Sequence, residues 1–266
     1  MITLPREIAS QEQLDNIHSI ISEQLPLERK TTILVTGDSW AAGEWDSSKD
    51  DPFMWRSTHS TASYLELFYD CTTILLPNPG WDDFESIYFC QKLDDLVDYI
   101  IFFKTCGLRG CQMEDHPARD FGFSDTNDPD TPDNILKQGL IVNQVVYHFL
   151  KKFESKLILI GGLNKIGGDG LDLNTVLTIP SIIEKYDSNA KDTELFGWEN
   201  MWDFYKDKVK KNKEYRKSLL DIMKLFEAKR NYLNSRPDLY YPDGKHPNAF
   251  VHQDLAKYIG EHIWTQ

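Results

Sequence analysis

The chain predicts an α/β protein in three layers, α/β/α, built on a flavodoxin-like parallel sheet of about five strands. Two patterns predict it. Short apolar, β-branched runs such as Thr32-Ile33-Leu34-Val35 and Leu157-Ile158-Leu159-Ile160 run into glycines and stop, as strands buried on both faces do. Between such runs lie segments with apolar residues at helical spacing, and strand alternating with helix is the pattern of a doubly wound parallel sheet. At 266 residues the chain is long enough to bury a sizeable core, and 1–266 reads as a single domain.

Met1 to Leu27 reads as a polar amphipathic helix rather than a signal peptide, since no basic start precedes an apolar core. The first strand, residues 32 to 37, delivers Gly37-Asp38-Ser39-Trp40 at its carboxyl edge, where α/β proteins keep their chemistry. A serine on a turn into the next helix has an exposed hydroxyl and a backbone N–H near a positive helix end. That makes Ser39 a candidate nucleophile. A loop rich in Trp and Asp follows, from Glu44 to Trp55, then a short helix over His59 to Phe68.

The second strand, Cys71 to Leu76, ends at Pro77-Asn78-Pro79-Gly80, whose composition forces a turn. A helix starts at Asp82 or Asp83, acidic residues that suit a helix N-terminus. Asp98 to Phe103 is the third strand. Residues 106–133 are a long aperiodic loop insertion, of the kind that is more often functional or mobile than structural. A helix from Asn134 to Phe153 feeds the fourth strand, Lys156 to Ile160, closed by Gly161-Gly162.

Residues 163–200 carry glycines, a Thr178-Ile179-Pro180-Ser181 turn and the aromatics Phe196 and Trp198, which with Trp202 read as core rather than a sugar platform. A helical insertion covers about 180–231, with a long charged helix over Lys206 to Asn231. Asp238 to Tyr241 is a short fifth strand, Pro242 to Asn248 a loop, and a last helix runs from about Ala249 to Ile263.

Composition narrows the partners. A net charge of −13, from 42 acidic against 29 basic side chains, argues against nucleic acid or an anionic membrane as the main partner, since both need a basic face. No segment approaches ~18 uninterrupted apolar residues, so no membrane span is expected. Cys71, Cys90, Cys106 and Cys111 fall at no metal-type spacing, and free thiols in a reducing, cytoplasmic setting are the expectation.

The chemistry-bearing residues lie at the two ends of the chain. Serine is a poor nucleophile at neutral pH until a base takes its proton, and a carboxylate that fixes the base's tautomer improves it. Asp243 and His246, three residues apart across a Gly-containing turn, can supply both, with Pro247 bracing the segment. Each half alone is a common turn sequence, and an Asp-x-x-His pair also suits a salt bridge or metal ligands. Position joins them: Ser39 follows the first strand and Asp243/His246 the last, which puts both on one carboxyl edge.

These blocks resemble the SGNH/GDSL hydrolase superfamily, whose first block ends a strand in Gly-Asp-Ser and whose last is Asp-x-x-His-Pro. They stand here as Val35-Thr36-Gly37-Asp38-Ser39 and Asp243-Gly244-Lys245-His246-Pro247, and Asn78-Pro79-Gly80 matches the family's second, glycine-donating block. The resemblance implies serine-dependent cleavage of an acyl ester or thioester, the substrate being a small-molecule or carbohydrate ester, with no metal and no organic cofactor. It implies Ser39, Asp243 and His246 as triad, and the amides of Ser39 and Gly80 as oxyanion donors. The family's third block, Gly-x-Asn-Asp, is replaced by Lys104-Thr105-Cys106-Gly107-Leu108. A preorganised donor is still required there, since losing one costs about a hundredfold or more; the Thr105 hydroxyl is preferred, with Asn164 the alternative.

Three readings stay open beside an esterase: acyl transfer to a carbohydrate by the same triad, a non-catalytic binding module, and a metal site at Asp243 and His246. Cys106 reads as a structural thiol. His59, His116 and His252 read as surface or loop histidines, with His116 a possible substrate contact. Arg109 and Arg119 are candidates to hold an anionic substrate group, though solvated arginines are commoner.

Overall fold

The computed structural model describes residues 1–4, 11–28, 30–77, 83–104, 144–161, 166, 173–186, 235–240 and 246–265. Among the described residues six strands form one parallel sheet: β1 (Ile2–Thr3), β2 (Thr31–Gly37), β3 (Cys71–Pro77), β4 (Tyr99–Lys104), β5 (Lys156–Gly161) and β6 (Thr175–Ile179). Their order is β1-β3-β2-β4-β5-β6. Setting aside the edge strand β1, this is flavodoxin-like winding, and the order reverses between β2 and β4. That switch point lies at the carboxyl end of β2, where Ser39 follows.

The central strands form because their residues suit burial on both faces. In β2, Leu34 faces one core with Ile74, Ile100 and Phe102, while Ile33 and Val35 face the other with Leu75, Ile101 and Phe103. Against the first face pack α2 (Ile17–Gln24), α5 (Asp83–Leu93) and helical backbone at 144–150, through Ile17, Ile21, Ile87, Cys90, Val146 and Leu150. Against the second pack α4 (Thr61–Phe68) and the terminal helix (Ala249–Trp264), through Ala62, Leu65, Val251, Leu255, Ala256 and Ile259. Three layers result.

Several elements differ from the sequence expectation. The sheet has six strands rather than about five. β1 occupies the start of the stretch read as helix, whose described helical residues are Gln11–Asp15 and Ile17–Gln24. β6 lies within residues 163–200, where no strand was expected; it takes in Thr178 and Ile179 of the segment read as a turn and pairs with β5. Of the stretch Asp238 to Tyr241, the described residues add no strand to the sheet: Asp238 and Leu239 are in a turn and Tyr240 makes one antiparallel bridge to Pro247, while Tyr241 lies outside the described residues. A helix also fills Pro52–Thr58, starting inside the stretch read as a Trp- and Asp-rich loop and running past its end at Trp55. Asp51 caps it by accepting from the Met54 N–H at 2.9 Å, with Pro52 at its start, so its signals are those of an ordinary N-terminus. The loop at 106–133, the helix over 206–231 and most of the insertion at 180–231 lie outside the described residues. Among the described residues no helix is long and apolar enough to cross a membrane.

Candidate active site

Ser39 is placed by the way β2 ends. Gly37 takes φ +134°, and a Cβ there would stand 2.3 Å from the Phe103 carbonyl oxygen of the neighbouring strand, so only glycine lets β2 approach β4 and then turn. The turn closes on itself: Asp38 Oδ1 accepts from the Trp40 N–H at 2.9 Å, and Asp38 and Ser39 carbonyls accept from Ala41 and Ala42. No helix begins there, and Ser39 is buried rather than exposed as expected. The expected dipole at Ser39 is replaced by a tight turn that breaks at Gly43, φ +112°, and the next helix starts only at Pro52.

His246 reaches the same spot from the other end of the chain. Its segment is pinned by the Tyr240 bridge to Pro247, by the Asn248 N–H donating to the Leu239 carbonyl at 3.0 Å, and by Asn248 Nδ2 donating to the Asp238 carbonyl at 2.9 Å. Asn248 Oδ1 then caps the terminal helix by accepting from the Val251 N–H at 3.1 Å. The result is a half-buried imidazole whose Nε2 lies 2.8 Å from Ser39 Oγ. That distance suits a hydroxyl donating to a ring nitrogen, provided the ring proton sits on Nδ1.

The described residues bring together Ser39 and His246 of the sequence-derived set. Asp243, Gly80, Thr105 and Asn164 lie outside the described residues, as do Cys106, Cys111, Arg109, His116 and Arg119. Cys71 and Cys90 are free and buried, and burial pushes the Cys71 thiol up to about 12; Cys90 is pushed up likewise.

His252 is corrected from a surface or loop histidine to a core one. It is fully buried on the terminal helix, with Nδ1 3.0 Å from Thr61 Oγ1. Burial, reinforced by the nearby His246, lowers it to about 3 against a smaller opposing pull from the Gly43 backbone. His59 is half-buried and stacked on Trp55, centroids 3.7 Å apart.

Sequence reasoning missed the segment that walls the site. Glu44 is buried, with Oε1 accepting from Trp55 Nε1 at 3.0 Å and Oε2 from the N–H of Ala249, first residue of the terminal helix, at 2.6 Å. Trp45 stacks on His246, centroids 4.7 Å apart. The only sequence signal was the local abundance of Trp and acid. A second buried polar pair closes the neighbouring strand end, where Lys104 Nζ lies 3.3 Å from Asp83 Oδ2, both side chains almost fully enclosed.

No protein-family model and no curated protein sequence matches the chain. Among solved structures it is similar to a lipase/acylhydrolase from Enterococcus faecalis, at 13% identity, covering 88% of this chain and 95% of that one with a TM-score of 0.37. It is similar to TesA at 11% identity, covering 88% and 99%, with a TM-score of 0.38. A third likeness is to a structure described as a GDSL-like lipase from Parabacteroides merdae, at 13% identity, 91% and 99% coverage and a TM-score of 0.33. Only the third of these descriptions names GDSL-like proteins. Superpositions this loose assign neither family nor activity, and the functional reading rests on the chain's own side chains.

Proposed function

We propose that the protein is a serine hydrolase cleaving an acyl ester through an acyl-serine intermediate. The observation that carries the reading is the 2.8 Å contact between Ser39 Oγ and His246 Nε2, made at the switch point of a parallel sheet, where α/β proteins bind their ligands. In this reading His246 takes the Ser39 proton as Oγ attacks the acyl carbon, and the carbonyl π electrons move to its oxygen. Collapse of that tetrahedral species breaks the bond to the alkoxy oxygen, which leaves with the proton from His246. Water then attacks the acyl-serine, again giving its proton to His246, and the second collapse frees the carboxylic acid and returns the proton to Ser39.

The remaining roles follow from the motif resemblance. Asp243 orients the imidazole and stabilises its cationic form, and the Ser39 and Gly80 amides with the Thr105 hydroxyl take the oxyanion. The test is release of p-nitrophenol from p-nitrophenyl acetate and butyrate. The purified protein is expected to hydrolyse at least one of them, and Ser39→Ala to lower that rate by about a thousandfold or more at an unchanged Tm. Hydrolysis that survives the substitution removes the assignment.

A further inference from the structure

One side chain touches both halves of the proposed machinery. Trp45 Nε1–H donates to the backbone carbonyl of Ser39 at 2.9 Å, while the Trp45 ring stacks on the His246 imidazole, centroids 4.7 Å apart and planes 20° apart. A rigid indole with two side-chain torsions therefore fixes the backbone that carries the hydroxyl and the plane of the ring beside it.

Trp45 is itself held from behind. The Arg56 guanidinium carbon lies 4.0 Å from the Trp45 ring centroid and 4.4 Å from that of Phe53, and Arg56 is buried. The chain just before Trp45 is pressed against the same helix: a Cβ on Gly43 would stand 2.0 Å from the Arg56 carbonyl oxygen. Glu44 then joins Trp55 to the start of the terminal helix. Three consecutive residues thus link the serine turn, the helix Pro52–Thr58 and the histidine segment.

Resting on the hydrolase reading, we infer that Trp45 is a positioning residue: it acts through His246 and the Ser39 backbone, keeping Oγ and Nε2 in line for proton transfer. An imidazole released from the stack gains other rotamers, and a displacement of about 1 Å can cost a hundredfold in rate. The loss is expected on kcat, because the contacts Trp45 makes are to Ser39 and His246, the pair that moves the proton.

The experiment compares wild type, Trp45→Phe and Trp45→Leu in ester hydrolysis and in the NMR shifts of the His246 ring protons. Trp45→Leu is expected to lower kcat about ten- to a hundredfold with KM within about twofold. Trp45→Phe keeps a stacking ring without the N–H donor and is expected to recover most of that loss. In wild type the indole's ring current moves the His246 protons upfield, and the shift should shrink in Trp45→Phe and vanish in Trp45→Leu. Full kcat in a folded Trp45→Leu protein, or a loss confined to KM, overturns the inference. Should Trp45→Leu not fold, a wild-type ring that carries no upfield shift overturns it as well. The two readings fail separately. A wild type that hydrolyses esters as well as Trp45→Leu refutes the positioning role alone, whereas one that carries the ring-current shift but cleaves no ester refutes the hydrolase reading, and the positioning role with it.

Discussion

Among the described residues, two hydroxyl–imidazole pairs join side chains from opposite ends of the chain, and they differ chiefly in how deeply the imidazole is buried. Ser39 and His246 meet at 2.8 Å and Thr61 and His252 at 3.0 Å, so hydrogen-bond length does not separate the pair proposed as reactive from a structural one. Their surroundings do. His246 is half-buried on a loop beside the switch point, walled by Trp45. His252 is sealed inside the core between the terminal helix and α4, where burial holds its ring in the neutral form. A buried neutral imidazole stabilises the fold above its ordinary titration range and has no substrate to serve. The same residue type six positions earlier keeps part of its surface exposed.

Acid should break this symmetry most strongly. His252 has an ordinary value of 6.5 and a folded value of about 3, so between them the unfolded chain binds a proton that the folded chain refuses. Stability therefore rises with pH across that window, and is lost as pH falls from 6.5 toward 3, on the order of a few kcal/mol for this one group. In thermal unfolding, His252→Gln should lower Tm at pH 7 yet show a shallower decline between pH 6.5 and 4 than wild type. An equally steep decline in the variant would assign the acid sensitivity to other groups.

A smaller effect sharpens the contrast. Thr61→Val keeps the shape of a fully buried side chain but removes the partner of His252 Nδ1, whose Nε2 makes no hydrogen bond among the described residues. The expected cost is about 1–3 kcal/mol, the penalty of an unpaired buried polar group. Ester hydrolysis in the folded variant should stay within about twofold of wild type. Denaturant titration reads the first quantity and initial rates the second; a large drop in rate with intact stability would draw Thr61 into the reaction.

Much of the fold was legible because β2, β3, β4 and β5 are buried on both faces and so read as apolar, β-branched runs, ended by Gly or Pro in all but β4. β6 escaped because its sequence, Thr-Val-Leu-Thr-Ile, is half-exposed at the sheet edge and runs straight into Pro180-Ser181, which read as a turn. β1 is two residues long, too short for any period to show. The Asp238 to Tyr241 stretch carried apolar tyrosines and a leucine, but these bury Leu239 and Tyr240 in a turn that braces His246 rather than adding to the sheet.

At the site, Ser39 and His246 were legible because both sit at strand or helix boundaries in short chemical motifs, and topology alone closes the 207 residues between them. Glu44, Trp45 and Arg56 were not legible. What they do depends on contacts to residues 246 and 249 and to the turn at Ser39, and no local period encodes a partner two hundred residues away. His252 misled for the same reason, since its burial comes from α4 packing on the terminal helix.

The most direct measurement is labelling by a fluorophosphonate probe followed by peptide mass spectrometry, in wild type and in His246→Gln. Wild type should be modified at Ser39, and His246→Gln should be labelled there about a thousandfold more slowly at an unchanged Tm, because the hydroxyl has lost its base. Labelling at some other residue, or at Ser39 with equal speed in both proteins, would contradict a serine activated by this histidine.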